Sequence, residues 1–292
     1  MCRHLAYLGP PVPLRSVLTD PPHSLYRQAW APRLQRHGTV NADGFGIGWY
    51  AGGDPVPARY RRAVPIWGDL SLPDLARVTR SGAVLAAVRS ATEGTAFGEA
   101  AAAPFGAGPW LFSHNGRLDG WPTAAAAIVE HTARAGSAAT GAAAGGPGAQ
   151  PPGTAALLSL EAMVDSAFLW ALVFERLQAG QPMDAALAGT IECVAAAGGT
   201  GRFNFLLTDG HSVAATACGD TLWYRQADGA PDGLASGASV VVASEPYDDE
   251  PGWVEVPDRH VLAATAREVS VRPIVPDGRA QVPERSPTVA TG

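Results

Sequence analysis

The chain has 292 residues, a formal net charge of −6, and 47% hydrophobic against 16% charged residues. This balance indicates one large globular domain rather than a disordered chain. The acidic excess argues against a nucleic-acid-binding groove, which requires clustered lysine and arginine.

Cysteine usage and apolar run lengths indicate where the protein resides. Cys2, Cys193 and Cys218 form no CxxC pair and no zinc-ligand spacing, so no structural metal site is expected. The odd number is typical of a reducing compartment, and Cys193 and Cys218 are expected in the core. The start lacks a signal-peptide core, and the apolar run 167–174 is too short to span a bilayer. We therefore expect a soluble cytoplasmic protein without membrane contact.

The start of the chain carries the first candidate for chemistry. Residues 3–8 predict a short strand that ends at Gly9-Pro10-Pro11. Removal of Met1, normal before a small residue, would make Cys2 the amino terminus. A terminal cysteine combines a thiol nucleophile with an α-amine base whose usual pKa is about 8. The alternative is a cysteine without function, and the rest of the chain decides between the two.

Residues 14–35 predict a loop or short helix, and a glycine-rich strand follows. Phe45, Ile47 and Trp49 alternate with glycines at the even positions, which predicts a strand with one glycine face. Two interpretations stay open, namely a stripe that packs against a second sheet and the wall of a pocket. The basic run 59–62 is short enough for a solvated loop or a strand edge.

Two predicted strands end in polar turns. After a helix near 72–80, the apolar run 83–89 ends on Arg89 and leads to Ser90 and Thr92. Residues 110–113 form a second short strand that ends in His114-Asn115-Gly116. Polar turns at strand ends are common places for functional sites.

The second half of the chain combines helices with strands. An Ala-, Gly- and Pro-rich segment, 133–155, predicts a flexible insertion, and the residues from 276 predict a disordered tail. Helices are predicted at 165–179 and 184–196. Strands are predicted at 203–208, 212–217, 222–225, 240–243, 253–256 and 269–272. This order favours an α+β architecture with two sheets over βαβ repetition.

Four motifs in a fixed order resemble those of the class II glutamine amidotransferases, which belong to the N-terminal nucleophile (Ntn) hydrolases. They are Cys2, the Arg89-Ser90-Ala91-Thr92 turn, the Asn115-Gly116 pair and the Asp165-Ser166 pair before a helix. The resemblance covers residues 2–275. It implies a four-layer αββα sandwich of two antiparallel sheets between helical layers, in a single domain 1–275 followed by a tail at 276–292.

The resemblance also implies a role for each residue. Cys2 is the expected nucleophile, and the Asn115 amide with the Gly116 N–H forms the expected oxyanion hole. Arg89 suits the α-carboxylate of a γ-glutamyl substrate and Asp165 its α-ammonium. The remaining expected substrate-binding residues are Thr92, His114 and Ser166, with His114 shaping the turn rather than transferring protons. No metal or cofactor is implied. Taken singly, each residue also suits an ordinary surface pair, turn or helix cap.

The chain most resembles the stand-alone branch of this family, which lacks a second domain that would use ammonia. The features are the Met-Cys-Arg-His-Leu start, the Asn-Ala-Asp-Gly-Phe-Gly-Ile-Gly-Trp-Tyr run and Ser244-Glu245-Pro246. Within this branch the chain resembles the enzymes of ergothioneine biosynthesis, which implies hydrolysis of the small molecule γ-glutamyl-hercynylcysteine S-oxide. Four aromatic residues are candidates for contact with the quaternary ammonium of this substrate: Trp30, Trp49, Trp110 and Tyr247. The alternative is that each of them is a core residue. The alternatives are a glutaminase that donates ammonia to an unknown partner and an inactive binding module that retains Met1.

Overall fold

Two antiparallel sheets form the middle of the molecule. The computed structural model describes residues 2–91, 96–139, 157–231, 233 and 236–274, and of residues 135–139 it describes the backbone only. Sheet A contains β1 (Arg3–Pro13), β2 (Phe45–Trp49), β3 (Ala58–Arg62), β4 (Arg80–Val88), β9 (Trp223–Asp228), β10 (Ala238–Ala243) and β11 (Val254–Glu255). Sheet B contains β5 (Phe105–Ala107), β6 (Trp110–Leu118), β7 (Gly201–Thr208), β8 (Val213–Ala217), β12 (His260–Ala264) and β13 (Val269–Pro273). The strand orders are β11-β9-β10-β1-β4-β2-β3 and β13-β12-β8-β7-β6-β5.

Helices cover the outer face of each sheet. They are α1 (Arg15–Leu18), α2 (Leu25–Gln28), α3 (Leu72–Val78), α4 (Thr123–Ala139), α5 (Asp165–Gln178) and α6 (Met183–Ala196), with 3₁₀ turns at Ile66–Gly68 and Glu99–Ala101. Apolar side chains of α1 to α3 pack in one core with sheet A. Those of α4 to α6 pack in another with sheet B. The expected four-layer αββα sandwich is therefore confirmed.

A third core lies between the sheets and fixes the direction in which the start of the chain faces. Leu5 and Tyr7 of β1 belong to the core under the helices, whereas Ala6 and Leu8 belong to the core between the sheets. Side chains alternate along a strand, so His4 and the preceding Cys2 share the side that faces sheet B. Cys2 and His4, at the start of the chain, therefore face the space between the two sheets.

The first strand is longer than its sequence indicates. The prediction that it ends at Gly9-Pro10-Pro11 is wrong, because β1 continues to Pro13. Its register against β4 shifts between Leu8 and Val12. Prolines cannot donate to a ladder, and a bulge is a position where the ladder is interrupted and they are tolerated.

The glycine face of β2 packs against sheet B. A Cβ atom at Gly48 would lie 2.5 Å from Leu111 Cδ1, and one at Gly46 would collide with the carbonyl oxygen of Ala103. Leu111 belongs to β6, so the sheet-packing interpretation of the stripe is confirmed. Glycine at these positions allows the two sheets to approach closely.

Several element boundaries differ from the prediction. The helix predicted at 72–80 ends at Val78 because β4 begins at Arg80, and the basic run 59–62 is the edge strand β3. Strands β5 and β12 and helix α4 were not predicted from the sequence. Helix α4 reaches Ala139, so residues 133–139 of the expected insertion are helical; residues 140–156 and the tail lie outside the described residues. Within the described part of the chain, no helix is long and apolar enough to cross a bilayer.

Candidate active site

A small cleft opens at the start of β1, beside the half-buried Cys2. Its lining residues are Cys2, Ala87, Val88, Arg89, Ala101, Ala103, Phe105, Ser113, His114 and Ser166. The fold thus brings together four residues that are more than 160 positions apart at the extremes: Cys2, Arg89, His114 and Ser166. Asn115 and Asp165 stand directly next to lining residues in the sequence, and Gly116 is two positions from His114. Thr92 lies outside the described residues.

Arg89 follows the last residue of β4 and is buried. Its backbone N–H donates to the Gly44 carbonyl at 2.8 Å, and its own carbonyl accepts from the Asp43 N–H at 2.9 Å. In the side chain, Nη2 donates to the Ala96 carbonyl at 2.9 Å, and Nη1 lies 3.4 Å from the Asp43 carbonyl. These contacts hold a guanidinium group against the cleft that contains Cys2.

His114 is a buried, neutral ring whose two nitrogens are both engaged. Nε2 lies 2.8 Å from the Arg202 carbonyl, which can only accept, so Nε2 carries the proton. Nδ1 then accepts from the Ser166 hydroxyl at 3.0 Å. Burial lowers the pKa of His114, while the charge of Asp165 opposes the shift. The two ring nitrogens therefore contact Ser166 of α5 and the backbone of β7.

Gly116 directs its backbone N–H toward an open edge of sheet B. Two other N–H groups indicate this direction. The Leu118 N–H, two residues further along β6, donates to Asp165 Oδ2 at 2.9 Å. The Phe203 N–H, opposite Gly116 on β7, donates to the Cys218 carbonyl and so points away from β6. Because N–H directions alternate along a strand, the Gly116 N–H also points away from β7. Among the described residues, β5 pairs only with β6 residues 110–112, so no strand lies beside Gly116 there.

Asn115 has unused hydrogen-bonding capacity, unlike the asparagine opposite it. Asn204, its register partner on β7, donates twice to backbone carbonyls and accepts twice from backbone N–H groups, all within 3.2 Å. Asn115 is equally buried, yet its Nδ2 makes one long contact, 3.5 Å to Ser244 Oγ, and its Oδ1 has no partner in the described structure. A buried amide in this state is available to a ligand, since leaving it unsatisfied is costly.

Asp165 is the first residue of α5 and joins that helix to β6. Its Oδ2 accepts from the Leu118 N–H and its Oδ1 accepts from the Ser166 N–H at 2.8 Å. A carboxylate offers about four acceptor positions, so these bonds leave capacity for an ammonium group. The helix-cap alternative is wrong, because the N-cap position is occupied by Val164 and Asp165 is already the first helical residue.

Several residues at the site were missed from the sequence. His4 Nδ1 lies 3.1 Å from Ser113 Oγ across the two sheets, and Ser244 contacts both His4 and Asn115. Alternation from Cys2 was the available signal for His4. The Ser244-Glu245-Pro246 motif was visible, but its place beside β1 depends on pairing over a distance of 240 residues.

Other predicted features lie away from the cleft. Trp49 and Tyr247 pack against the core under sheet A, Trp110 packs against that under sheet B, and Trp30 stacks edge-on with Trp67. None of these four aromatic residues is among the described residues that line the cleft. Cys193 and Cys218 are half-buried against the core, as expected, and burial raises the pKa of both thiols. Within the described residues, no three His, Cys, Asp or Glu side chains are grouped to hold a metal ion.

Comparison with solved structures finds proteins with the same fold. The chain superposes on a class II glutamine aminotransferase domain protein from Silicibacter pomeroyi with a TM-score of 0.60 and 23% identity, over 94% of this chain and all of that chain. It superposes on the glutamine phosphoribosylpyrophosphate amidotransferase of Bacillus subtilis with a TM-score of 0.56 and 13% identity, over 94% of this chain and 49% of that chain. No protein-family model matches the sequence.

Two curated relatives are similar to this chain over almost its whole length. The γ-glutamyl-hercynylcysteine sulfoxide hydrolase of Mycobacterium tuberculosis is 40% identical over 272 residues, which cover 93% of this chain and 96% of the relative. That of Mycolicibacterium smegmatis is also 40% identical, over 94% of this chain and all of the relative.

The fold is the class II glutamine amidotransferase fold of the Ntn hydrolases, as the motifs predicted. The chain belongs to the γ-glutamyl-hercynylcysteine sulfoxide hydrolase family.

Proposed function

We propose that this protein hydrolyses the γ-glutamyl amide bond of γ-glutamyl-hercynylcysteine S-oxide, releasing glutamate and hercynylcysteine S-oxide in ergothioneine biosynthesis. The observation that carries the proposal is Cys2, placed before a central strand in the same cleft as Arg89 and Ser166. Relatives of that activity align with almost the whole chain, which supports the choice of substrate.

Cys2 is the nucleophile in this proposal, with Met1 removed. The thiol attacks the γ-carbonyl carbon and its proton passes to the Cys2 α-amine. His114 is an unsuitable base because Arg202 and Ser166 occupy both ring nitrogens. The protonated α-amine then gives the proton to the departing amine as the C–N bond breaks.

Asn115 and Gly116 supply the oxyanion hole. The Gly116 N–H faces an open strand edge, and the buried Asn115 amide has one end, Oδ1, without a described partner. With the amide turned so that Nδ2 lies at that end, the two N–H donors stabilise the negative charge that develops on the γ-carbonyl oxygen. The same two donors stabilise the second tetrahedral intermediate, formed when water attacks the γ-glutamyl thioester.

The glutamyl end of the substrate is recognised by opposite charges on two sides. Arg89 suits the α-carboxylate because its planar guanidinium can donate two parallel hydrogen bonds. Asp165, anchored by Leu118 and Ser166, suits the α-ammonium. Ser166 adds a hydroxyl group near the glutamyl chain, and His114 contacts that hydroxyl. Thr92, outside the described residues, is the second hydroxyl expected from the motif.

The test is glutamate release by the purified protein from γ-glutamyl-hercynylcysteine S-oxide, with L-glutamine at equal concentration as the comparison. We expect a kcat/KM for the sulfoxide that exceeds the value for glutamine by at least about 100-fold, because the larger amine contributes binding energy. Equal or better use of glutamine would replace this proposal with that of an ammonia-donating glutaminase.

A further inference from the structure

Ser244 joins the strand of the nucleophile to the strand of the oxyanion hole. It follows β10 and is completely buried. Its backbone N–H donates to the His4 carbonyl at 3.0 Å, and its hydroxyl accepts from the His4 N–H at 3.1 Å. The Ser244 carbonyl instead accepts from Thr221 Oγ1 at 2.8 Å. At His4, two residues after Cys2, the Ser244 hydroxyl thus takes the place of the Ser244 backbone carbonyl as the acceptor in the pairing of β1 with the chain after β10.

The same hydroxyl faces the Asn115 amide of the opposite sheet. In the structure Asn115 Nδ2 points to Ser244 Oγ over 3.5 Å, which is long for a hydrogen bond. Meanwhile Asn115 Oδ1 is buried without a donor in the described structure. Ser244 Oγ already accepts from His4, so its own proton needs an acceptor.

One rotation of the amide satisfies both groups. Turning the Asn115 amide by about 180° places Oδ1 toward Ser244, where it accepts the hydroxyl proton. Nδ2 then occupies the side where Oδ1 now has no donor. An N–H group on that side needs an acceptor, which the negatively charged oxygen of a tetrahedral intermediate provides.

We propose that Ser244 is a positioning residue that holds the Asn115 amide with Nδ2 directed at the γ-carbonyl oxygen of the substrate. This inference rests on the proposed hydrolysis, since Asn115 has this task only if a tetrahedral oxyanion forms. Without the Ser244 hydroxyl, no described partner favours one orientation of the Asn115 amide over the other. In a fraction of the enzyme molecules Oδ1 instead of Nδ2 would then face the oxyanion.

The first test compares Ser244→Ala with Ser239→Ala. Ser239 lies on β10, is also buried, and donates to the Gly229 carbonyl at 2.6 Å, which makes it a matched loss of a hydroxyl away from the cleft. We expect Ser244→Ala to lower kcat by about 10- to 100-fold while KM stays within about threefold, because transition-state stabilisation alone is lost. The Ser239→Ala enzyme should keep its kcat.

The second test is a double-mutant cycle with Asn115→Ala. If Ser244 acts through the Asn115 amide, Ser244→Ala costs no further kcat once that amide is absent. A purely structural role would lower kcat by the same factor in both backgrounds, and that result would overturn the inference. Ser244→Cys retains the buried volume with a weaker donor, and provides the same cycle if the alanine variant does not fold.

The outcomes separate this inference from the proposed function. A wild-type enzyme that releases no glutamate from the sulfoxide contradicts the proposed function. A wild-type enzyme that does so, together with an unimpaired Ser244→Ala enzyme, contradicts the positioning role alone.

Discussion

Arg3 and Glu245 form an ion pair closed to solvent, with Arg3 Nη2 3.7 Å from Glu245 Oε2 and both side chains 0% exposed. The same carboxylate accepts hydrogen bonds from the backbone N–H groups of Arg33 and Leu34 at 2.9 and 2.8 Å. Burial lowers the pKa of Arg3, and the charge of Glu245 opposes that shift. The pair therefore connects Arg3, the residue after Cys2, to the loop that follows α2.

We expect Glu245→Ala to lower the free energy of unfolding by about 3–5 kcal/mol, because it leaves the Arg3 charge buried without its partner. Urea denaturation measures the change. The control is Glu250→Ala, an exposed carboxylate only five residues away, whose effect should stay within about 0.5 kcal/mol. Equal stability of the two variants would show that Glu245 does not stabilise the buried arginine.

Cys2→Ala should abolish glutamate release without lowering the melting temperature, because it removes the proposed nucleophile at a half-buried position. Cys193→Ala is the matched control, since Cys193 is half-buried against the core beside α5 and should remain active. Intact-mass analysis of each protein should show that Met1 is absent. Residual turnover by Cys2→Ala equal to that of Cys193→Ala would exclude Cys2 as the nucleophile.

The sequence predicted the parts of this site that depend on local order. Cys2 before a strand, Arg89 at a strand end and Asp165 at a helix start are readable because each motif abuts a periodic apolar segment. Ser244 and its neighbour Glu245 were not assigned a role, because their contacts with His4 and Arg3 arise from the pairing of β1 with β10. Local patterns contain no information on which strands become neighbours.

The fold shows the same division. The alternation in β2 predicted that one face of the strand consists of glycines. It did not predict that this face packs against Leu111 of the other sheet, which follows from how the two sheets pack. Likewise, Asn115 and Asn204 sit opposite one another, and their sequences do not reveal that one is saturated with hydrogen bonds and the other is not. Hydrogen-bond saturation is a property of the assembled sheets.

His4 predicts a stability that depends on pH. Burial, with the charges of His114 and Arg3, lowers the pKa of His4 to about 3. An unfolded histidine titrates near pH 6.5, so between about 6.5 and 3 the unfolded state binds more protons. The free energy of unfolding should therefore fall on acidification below about pH 6.5, by on the order of 1 kcal/mol per pH unit.

Urea denaturation at pH 7 and at pH 5 tests this dependence. His4→Asn should flatten it partly, because the titrating ring is removed while the buried His114, whose pKa is also lowered, remains. His211→Asn replaces an exposed histidine and should leave the dependence unchanged. If His4→Asn and wild type lose the same stability between the two pH values, His4 is not the group responsible.

Gly116→Ala should lower activity because the added methyl group displaces the backbone of β6, although no functional side chain is removed. A Cβ atom at Gly116 would collide with the Arg202 carbonyl and lie 2.6 Å from His114 Nε2. Relieving this overlap must move β6 from β7, at about 1–3 kcal/mol of stability, and turn the oxyanion N–H away. The loss of one oxyanion donor predicts a kcat lower by about 100-fold or more.

Gly52→Ala is the control, because a Cβ atom there meets nothing within 4 Å. It should match wild type in both kcat and melting temperature. A Gly116→Ala enzyme with normal kcat would mean that the Gly116 N–H does not contact the reacting oxygen.

Arg89→Lys tests the recognition of the substrate carboxylate while retaining the positive charge. Lysine lacks the planar fork of arginine, so we expect KM to rise by about 10- to 100-fold, the value of a charge-assisted hydrogen bond. A γ-glutamyl substrate whose α-carboxylate is converted to an amide provides the matched comparison. Wild type should discriminate strongly between the two substrates and Arg89→Lys only weakly, measured as the ratio of their kcat/KM values. An unchanged ratio would place the carboxylate elsewhere, and would leave the contacts of Arg89 with the Ala96 and Asp43 carbonyls as its role.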